Sequence, residues 1–167
     1  MDDFNMKDLV DEVKKESGES SKFIDCQECI EIATKLMQQH PDMLNDANMA
    51  SIKYLIKTAD KSSYAGKCSK ATGKWAFLTG YDYVIEIWGV WWQHANDSAK
   101  EALILHELLH ILRDVDSKGN VKWKIRNHDV EEFHEVVQLY GSWDTPLQAL
   151  VDAANQFKND APDHKEN

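Results

Sequence analysis

Apolar residues recur along this chain with two periods. Phe23, Cys26, Ile30, Ala33 and Met37 follow helical spacing, and Pro41 closes the pattern, so a first helix is expected over about residues 24–39. From Ser51 to Thr58 the period becomes two, with Ile52, Tyr54 and Ile56 on one side and Lys53 and Lys57 on the other. That is the pattern of a half-buried strand. Residues 59–73 are polar and contain Gly66 and Gly73, which reads as a loop. Lys74 to Thr79, with Trp75, Phe77 and Leu78, reads as a second strand. Tyr83 to Trp88 is strongly apolar and reads as a third, central strand. Trp91 and Trp92 follow and cannot both face one core, and His94 falls in an exposed loop.

Ser98 and Glu101 have capping-box spacing and open a helix expected over about Ala99 to Arg113. A turn over residues 114–120 leads into Val121, Trp123 and Ile125, which alternate with Lys122, Lys124 and Arg126 as a strand with one basic face. Asp129 and Glu132 again have capping spacing. Val130, Phe133, Val137 and Tyr140 supply the apolar stripe of a helix that Gly141 ends. Thr145 and Pro146 start a last helix to about Phe157. Helices and a few short strands without repeats predict an α+β fold.

The chemistry is concentrated in Leu105-His106-Glu107-Leu108-Leu109-His110, a His-Glu-x-x-His inside an apolar helix. One helical turn separates the two histidines, so both imidazoles leave the same face and can bind one metal ion. Two imidazoles and a carboxylate in so apolar a helix are costly to bury without a partner, and a metal is such a partner. The spacing is the helix half of a zinc peptidase site: the metal acidifies a water and Glu107 takes its proton.

A net charge of −10 over 167 residues argues against nonspecific binding to nucleic acid or to an anionic membrane. No run is apolar and long enough to span a bilayer, and the N-terminus lacks the features of a secretion signal, so a cytoplasmic protein is expected. Three cysteines in such a chain do not suggest a disulfide scaffold; Cys26 and Cys29 are expected as small buried helix residues, with Cys68 alone. The expected organisation is an acidic N-terminal arm over residues 1–21, a single domain over 22–157 and a polar tail over 158–167.

Catalytic zinc takes three protein ligands and keeps one position open. Asp116 stands at the spacing of a third ligand in one extended form of the motif, but Arg113 occupies the position of the glycine that makes the required turn. His128, Glu132 and His134 lie further on. His128 is preferred, because it follows a strand that returns towards the active helix and directly precedes a helix start.

Tyr81-Asp82-Tyr83-Val84-Ile85, the run Ala102 to His110, His128-Asp129-Val130-Glu131-Glu132-Phe133 and Tyr140-Gly141-Ser142-Trp143 together resemble the putative phage metallopeptidase family, over roughly residues 24–143. The resemblance implies a small zincin-like fold, with a short, mostly antiparallel sheet packed against the His-Glu-x-x-His helix. A more distant similarity is to SprT/Spartan-like proteases, which also place a His, with a Phe shortly after it, downstream of the motif; this supports His128. The chain departs from them in having no Cys-rich ribbon and no basic tail, so cleavage of DNA–protein crosslinks is not carried over.

The expected activity is therefore that of a metallopeptidase binding Zn2+ through His106, His110 and His128, with Glu107 as general base and a protein or peptide as substrate. Tyr140, His134 and Arg126 are candidates for stabilising the oxyanion, and Asp129, Glu131 and Glu135 for orienting the ligand imidazoles. Two alternatives share the site: a zinc-stabilised binding protein without turnover acting on a host partner, and a narrow regulatory protease with one target.

Overall fold

A computed structural model describes residues 22–131 and 133–160. Contacts divide the chain into two compact units that join at Arg126 and Asn127. The first contains β1 (Phe23–Asp25), α1 (Gln27–Gln39), α2 (Asn45–Met49), β2 (Ile52–Lys57), β3 (Gly66–Lys70), α3 (Lys74–Thr79), β4 (Tyr83–Trp88), α4 (Gly89–His94), α5 (Asp97–Leu109), β5 (Ile111–Val115) and β6 (Val121–Ile125). The second contains α6 (His134–Tyr140) and α7 (Thr145–Asp160).

Four strands form one sheet in the order β1-β2-β4-β3, in which only the β2–β4 pair is parallel. The fold is thus α+β with a small, mostly antiparallel sheet. β4 lies inside the sheet, and its alternation sends Tyr83, Ile85 and Ile87 into the core, each fully buried. Register aligns Tyr54, Ile85 and Cys68 in one row across β2, β4 and β3, and Ile56, Ile87 and Gly66 in the next. Cys29, Ala33 and Leu36 of α1 and Ile104 and Leu108 of α5 complete this core. Fully burying such an aliphatic side chain stabilises the fold by about 1.5–3 kcal/mol. Trp92 is 1 % exposed, and its indole N–H donates to Glu28 at 2.8 Å. The other Glu28 oxygen takes the Lys100 ammonium at 2.8 Å, so one carboxylate in the first turn of α1 ties down both α4 and α5.

Several sequence expectations are corrected. The polar stretch 59–73 contains β3, an edge strand whose Gly-Lys-Cys-Ser-Lys sequence carries no apolar alternation. Lys74–Thr79 is a helix, not a strand. Gly73 and Gly80 bracket it with φ of 56° and 72°, and the Gly80 amide closes it on the Ala76 carbonyl. Trp75, Phe77 and Leu78 looked like strand residues but are 65–88 % exposed. Trp91 and Trp92 lie on the short helix α4, with Trp92 in the core and Trp91 half-buried. His94 is the last residue of that helix.

The active helix opens two residues earlier than Ser98 suggested. Asn96 is its N-cap, accepting from the Ala99 amide at 2.8 Å. It ends at Leu109 rather than Arg113, because Ile111–Val115 pairs antiparallel with Val121–Ile125 as a separate hairpin. α1 starts at Gln27, since Phe23–Asp25 pairs with β2, and its buried stripe is Cys29, Ala33 and Leu36; Ile30 is 40 % exposed. Cys26 and Cys29, buried as expected, are nevertheless joined by a disulfide, since the N-cap and the third helical residue face the same way.

In the second unit, α6 begins at His134 instead of Asp129, and Phe133 and Tyr140 of its expected stripe are 76 % and 72 % exposed. α7 is opened by Asp144, which accepts from the Leu147 amide, and runs to Asp160. The arm over residues 1–21 and the tail from 161 lie outside the described residues. Among the described residues no helix is long and apolar enough to cross a membrane.

Candidate metal centre

α5 delivers the motif at its C-terminal end. Ile104 and Leu108 anchor one face in the core, which turns His106 towards solvent and leaves His110, the C-cap, half-buried. The two imidazoles stand edge to face with ring centres 5.0 Å apart. His106, His110 and His128 each offer one ligand atom, and these atoms all lie within 4.8 Å of one another.

A local hydrogen bond orients one of the three rings, and a carboxylate lies near a second. His110 Nδ1 is 2.7 Å from the Arg126 carbonyl oxygen, which can only accept, so Nδ1 is the donor and, in the neutral ring, Nε2 is the nitrogen left with a lone pair. The Arg126 amide donates back to the His110 carbonyl at 2.8 Å. The end of β6 is thereby clamped to the end of α5, two residues before His128. His128 Nδ1 lies 3.6 Å from a Glu131 carboxylate oxygen, too far for a hydrogen bond but close enough for the two charges to interact when the ring is protonated.

Glu107 is 3 % exposed, in contrast to the histidines on either side of it. Its carboxylate lies against β3, beside Gly66. Burial, and then the Glu107 charge, push the Cys68 thiol up to about 12, so it stays protonated at neutral pH. Burial likewise raises the Tyr54 phenol, whose buried hydroxyl has no hydrogen-bond partner among the described residues.

The other candidates fare differently. Asp116 is absorbed by the β5–β6 turn, where its carboxylate accepts from the amides of Lys118 and Asn120 and meets the Lys122 ammonium at 3.6 Å. Hydrogen bonding from Asn120 holds its pKa below the usual carboxylate range, and it is not among the grouped ligand atoms. Glu132, and the side chains of His134 and Glu135, lie outside the described residues. Tyr140 is largely exposed. Reading the sequence for carboxylates that orient the imidazoles missed the Arg126 carbonyl; a main-chain oxygen leaves no residue-type signal.

The donor set fits a zinc-like ion. Nitrogens about 2.0–2.1 Å from a shared tetrahedral ion lie roughly 3.4 Å apart, somewhat closer than the 4.8 Å that bounds this group. Three neutral imidazoles are ligands that zinc accepts, and the second ring nitrogen of His110 already faces an acceptor.

Residues 21–155 match the family model described as Putative phage metallopeptidase. The chain belongs to this family. Its membership accounts for a peptidase-type motif on an otherwise acidic α+β domain, and implies a metal ion and a protein or peptide substrate. No curated protein and no solved structure matches the chain.

Proposed function

We propose that this member of the phage metallopeptidase family is a single-zinc endopeptidase, in which His106, His110 and His128 hold the ion and Glu107 is the general base. The observation that carries this reading is the grouping of three imidazole ligand atoms within 4.8 Å, with a buried carboxylate next to one of them in sequence. Zinc bound to such a set lowers the pKa of water and polarises a carbonyl.

The chain's own residues do the rest. Glu107 takes the proton of the attacking water and later delivers it to the departing amine. The Arg126 carbonyl holds His110 in the tautomer that leaves its other ring nitrogen free, and Glu131, 3.6 Å from His128, is the carboxylate available to do the same there once the ring is drawn into place on the ion. β3, at the sheet edge beside Glu107, offers main-chain groups to which an extended peptide can add as a further strand. Arg126 and Tyr140 remain the candidates for steadying the oxyanion. A non-catalytic binder would not need the acid, so Glu107 argues for turnover.

The test is metal analysis of the purified protein, followed by cleavage of casein and of a mixed peptide library with Glu107→Gln as control. Near-stoichiometric zinc and cleavage lost only in the variant are expected. Absence of zinc, or equal cleavage by Glu107→Gln, would overturn the reading; zinc with no cleavage of either substrate would point to a single dedicated target or to a binder.

A further inference from the structure

Gly66 has no conformational reason to be glycine. It is not among the residues with positive φ, and it sits in a regular antiparallel pair with Ile87. Glycine within a strand costs about 0.5–1 kcal/mol relative to alanine, through lost chain entropy in folding. The explanation is spatial. In its row across the sheet, Ile56 and Ile87 send side chains into the core, and the row stops at Gly66. A Cβ there would stand 2.5 Å from Glu107 Oε1, 3.0 Å from Glu107 Cδ and 3.0 Å from Leu103 Cδ1. The first distance is impossible for real atoms. Glu107 is 3 % exposed, so its carboxylate cannot swing into open solvent to relieve the clash without leaving its site.

We infer that Gly66 is a positioning residue: its missing side chain is the seat of the Glu107 carboxylate, and the β3 backbone fixes where that carboxylate stands relative to the motif histidines. This deepens the peptidase reading and rests on it for Glu107's role, whereas the seat itself is a property of the fold. Cys68, two residues along the same face and held protonated, borders the seat without adding charge.

A metal-free double-mutant cycle tests the seat directly. Gly66→Ala is expected to lower the thermal midpoint by about 4 °C or more, but to leave it unchanged or raise it when Glu107 is already alanine. Equal shifts in both backgrounds would overturn the proposal. If Gly66→Ala fails to fold, recovery of folding in the double variant counts for it, and failure of both counts against. The positioning claim is read without a substrate, from the visible spectrum of the Co(II)-loaded proteins at one pH. Gly66→Ala should move towards the spectrum of Glu107→Gln, and a spectrum identical to that of the unaltered protein would sink it. With casein as substrate, kcat should fall about 100-fold at similar KM. An inactive parent protein would count against the peptidase reading and leave the cycle and the cobalt spectra to decide the seat.

Discussion

His110 and Arg126 exchange two hydrogen bonds in opposite directions, ring Nδ1 to carbonyl at 2.7 Å and amide to carbonyl at 2.8 Å. The pairing involves only the backbone of Arg126, which makes a sharp prediction. Arg126→Pro, which deletes the amide, should weaken zinc binding about 10- to 100-fold, the usual range for loss of support behind a ligand. Arg126→Ala should leave zinc affinity as it is. Competition with a chromophoric chelator measures both.

Removing one imidazole from the group should uncouple zinc from stability. Zinc at about 1,000 times its Kd stabilises a protein by about 4 kcal/mol. Thermal unfolding with and without zinc should show a clear upward shift for the unaltered chain and little for His106→Ala, His110→Ala or His128→Ala. His40→Ala and His94→Ala, which lie outside the group, should keep the shift.

The helix that carries the motif depends on a cap in front of it. Asn96→Ala should cost about 1 kcal/mol of unfolding free energy, because the Ala99 amide loses its acceptor. Ser98→Ala should cost much less, since the helix is already under way at Asp97. Urea unfolding of the two variants compares them.

Alkaline pH should destabilise the fold in two stages. A group whose pKa is higher in the folded protein keeps a proton there that the unfolded chain gives up, so its contribution is complete below the unfolded pKa and is lost as pH rises through the folded one. Cys68 rises from 9.0 to about 12 through burial and the Glu107 charge. Tyr83 rises from 10.0 to about 12, chiefly through burial. Stability should therefore fall from about pH 9 upward. Cys68→Ala should flatten the first part of the decline, and Tyr83→Phe and Tyr54→Phe should each remove a share of the later part. Tyr83→Phe should also cost about 1 kcal/mol at neutral pH, since the hydroxyl donates to the Lys124 carbonyl at 2.6 Å.

Elements whose own side chains enter the core were legible in the sequence. β2 and β4 announce themselves because Tyr54 and Ile56, and Tyr83, Ile85 and Ile87, alternate with residues that do not. The motif was legible because four residues make one helical turn whatever surrounds them. What escaped depends on neighbours. β3 is a strand because β4 offers it hydrogen bonds, which Gly-Lys-Cys-Ser-Lys does not advertise. α5 stops at Leu109 because β6, the other arm of a hairpin, recruits Ile111–Val115; read alone, Ile111 and Leu112 continue the helical pattern. Trp75, Phe77 and Leu78 misled for the opposite reason, since large apolar residues were taken for core where two glycines hold them on an exposed turn of helix. Near the motif, the Arg126 carbonyl and the space at Gly66 are a main-chain atom and an absent one, and neither is written as a residue type.

The strand order also sets a timetable for the nascent chain. β3 is synthesised before β4 yet borders no other strand of its sheet, so residues 66–70 have no ladder to join until residues 83–88 have been made and have zipped onto β2. Pairings between distant segments form slowly. The rim that receives the Glu107 carboxylate should therefore be the last part of the sheet to assemble, and it can be in place before the residues of α5 that pack on it have been made.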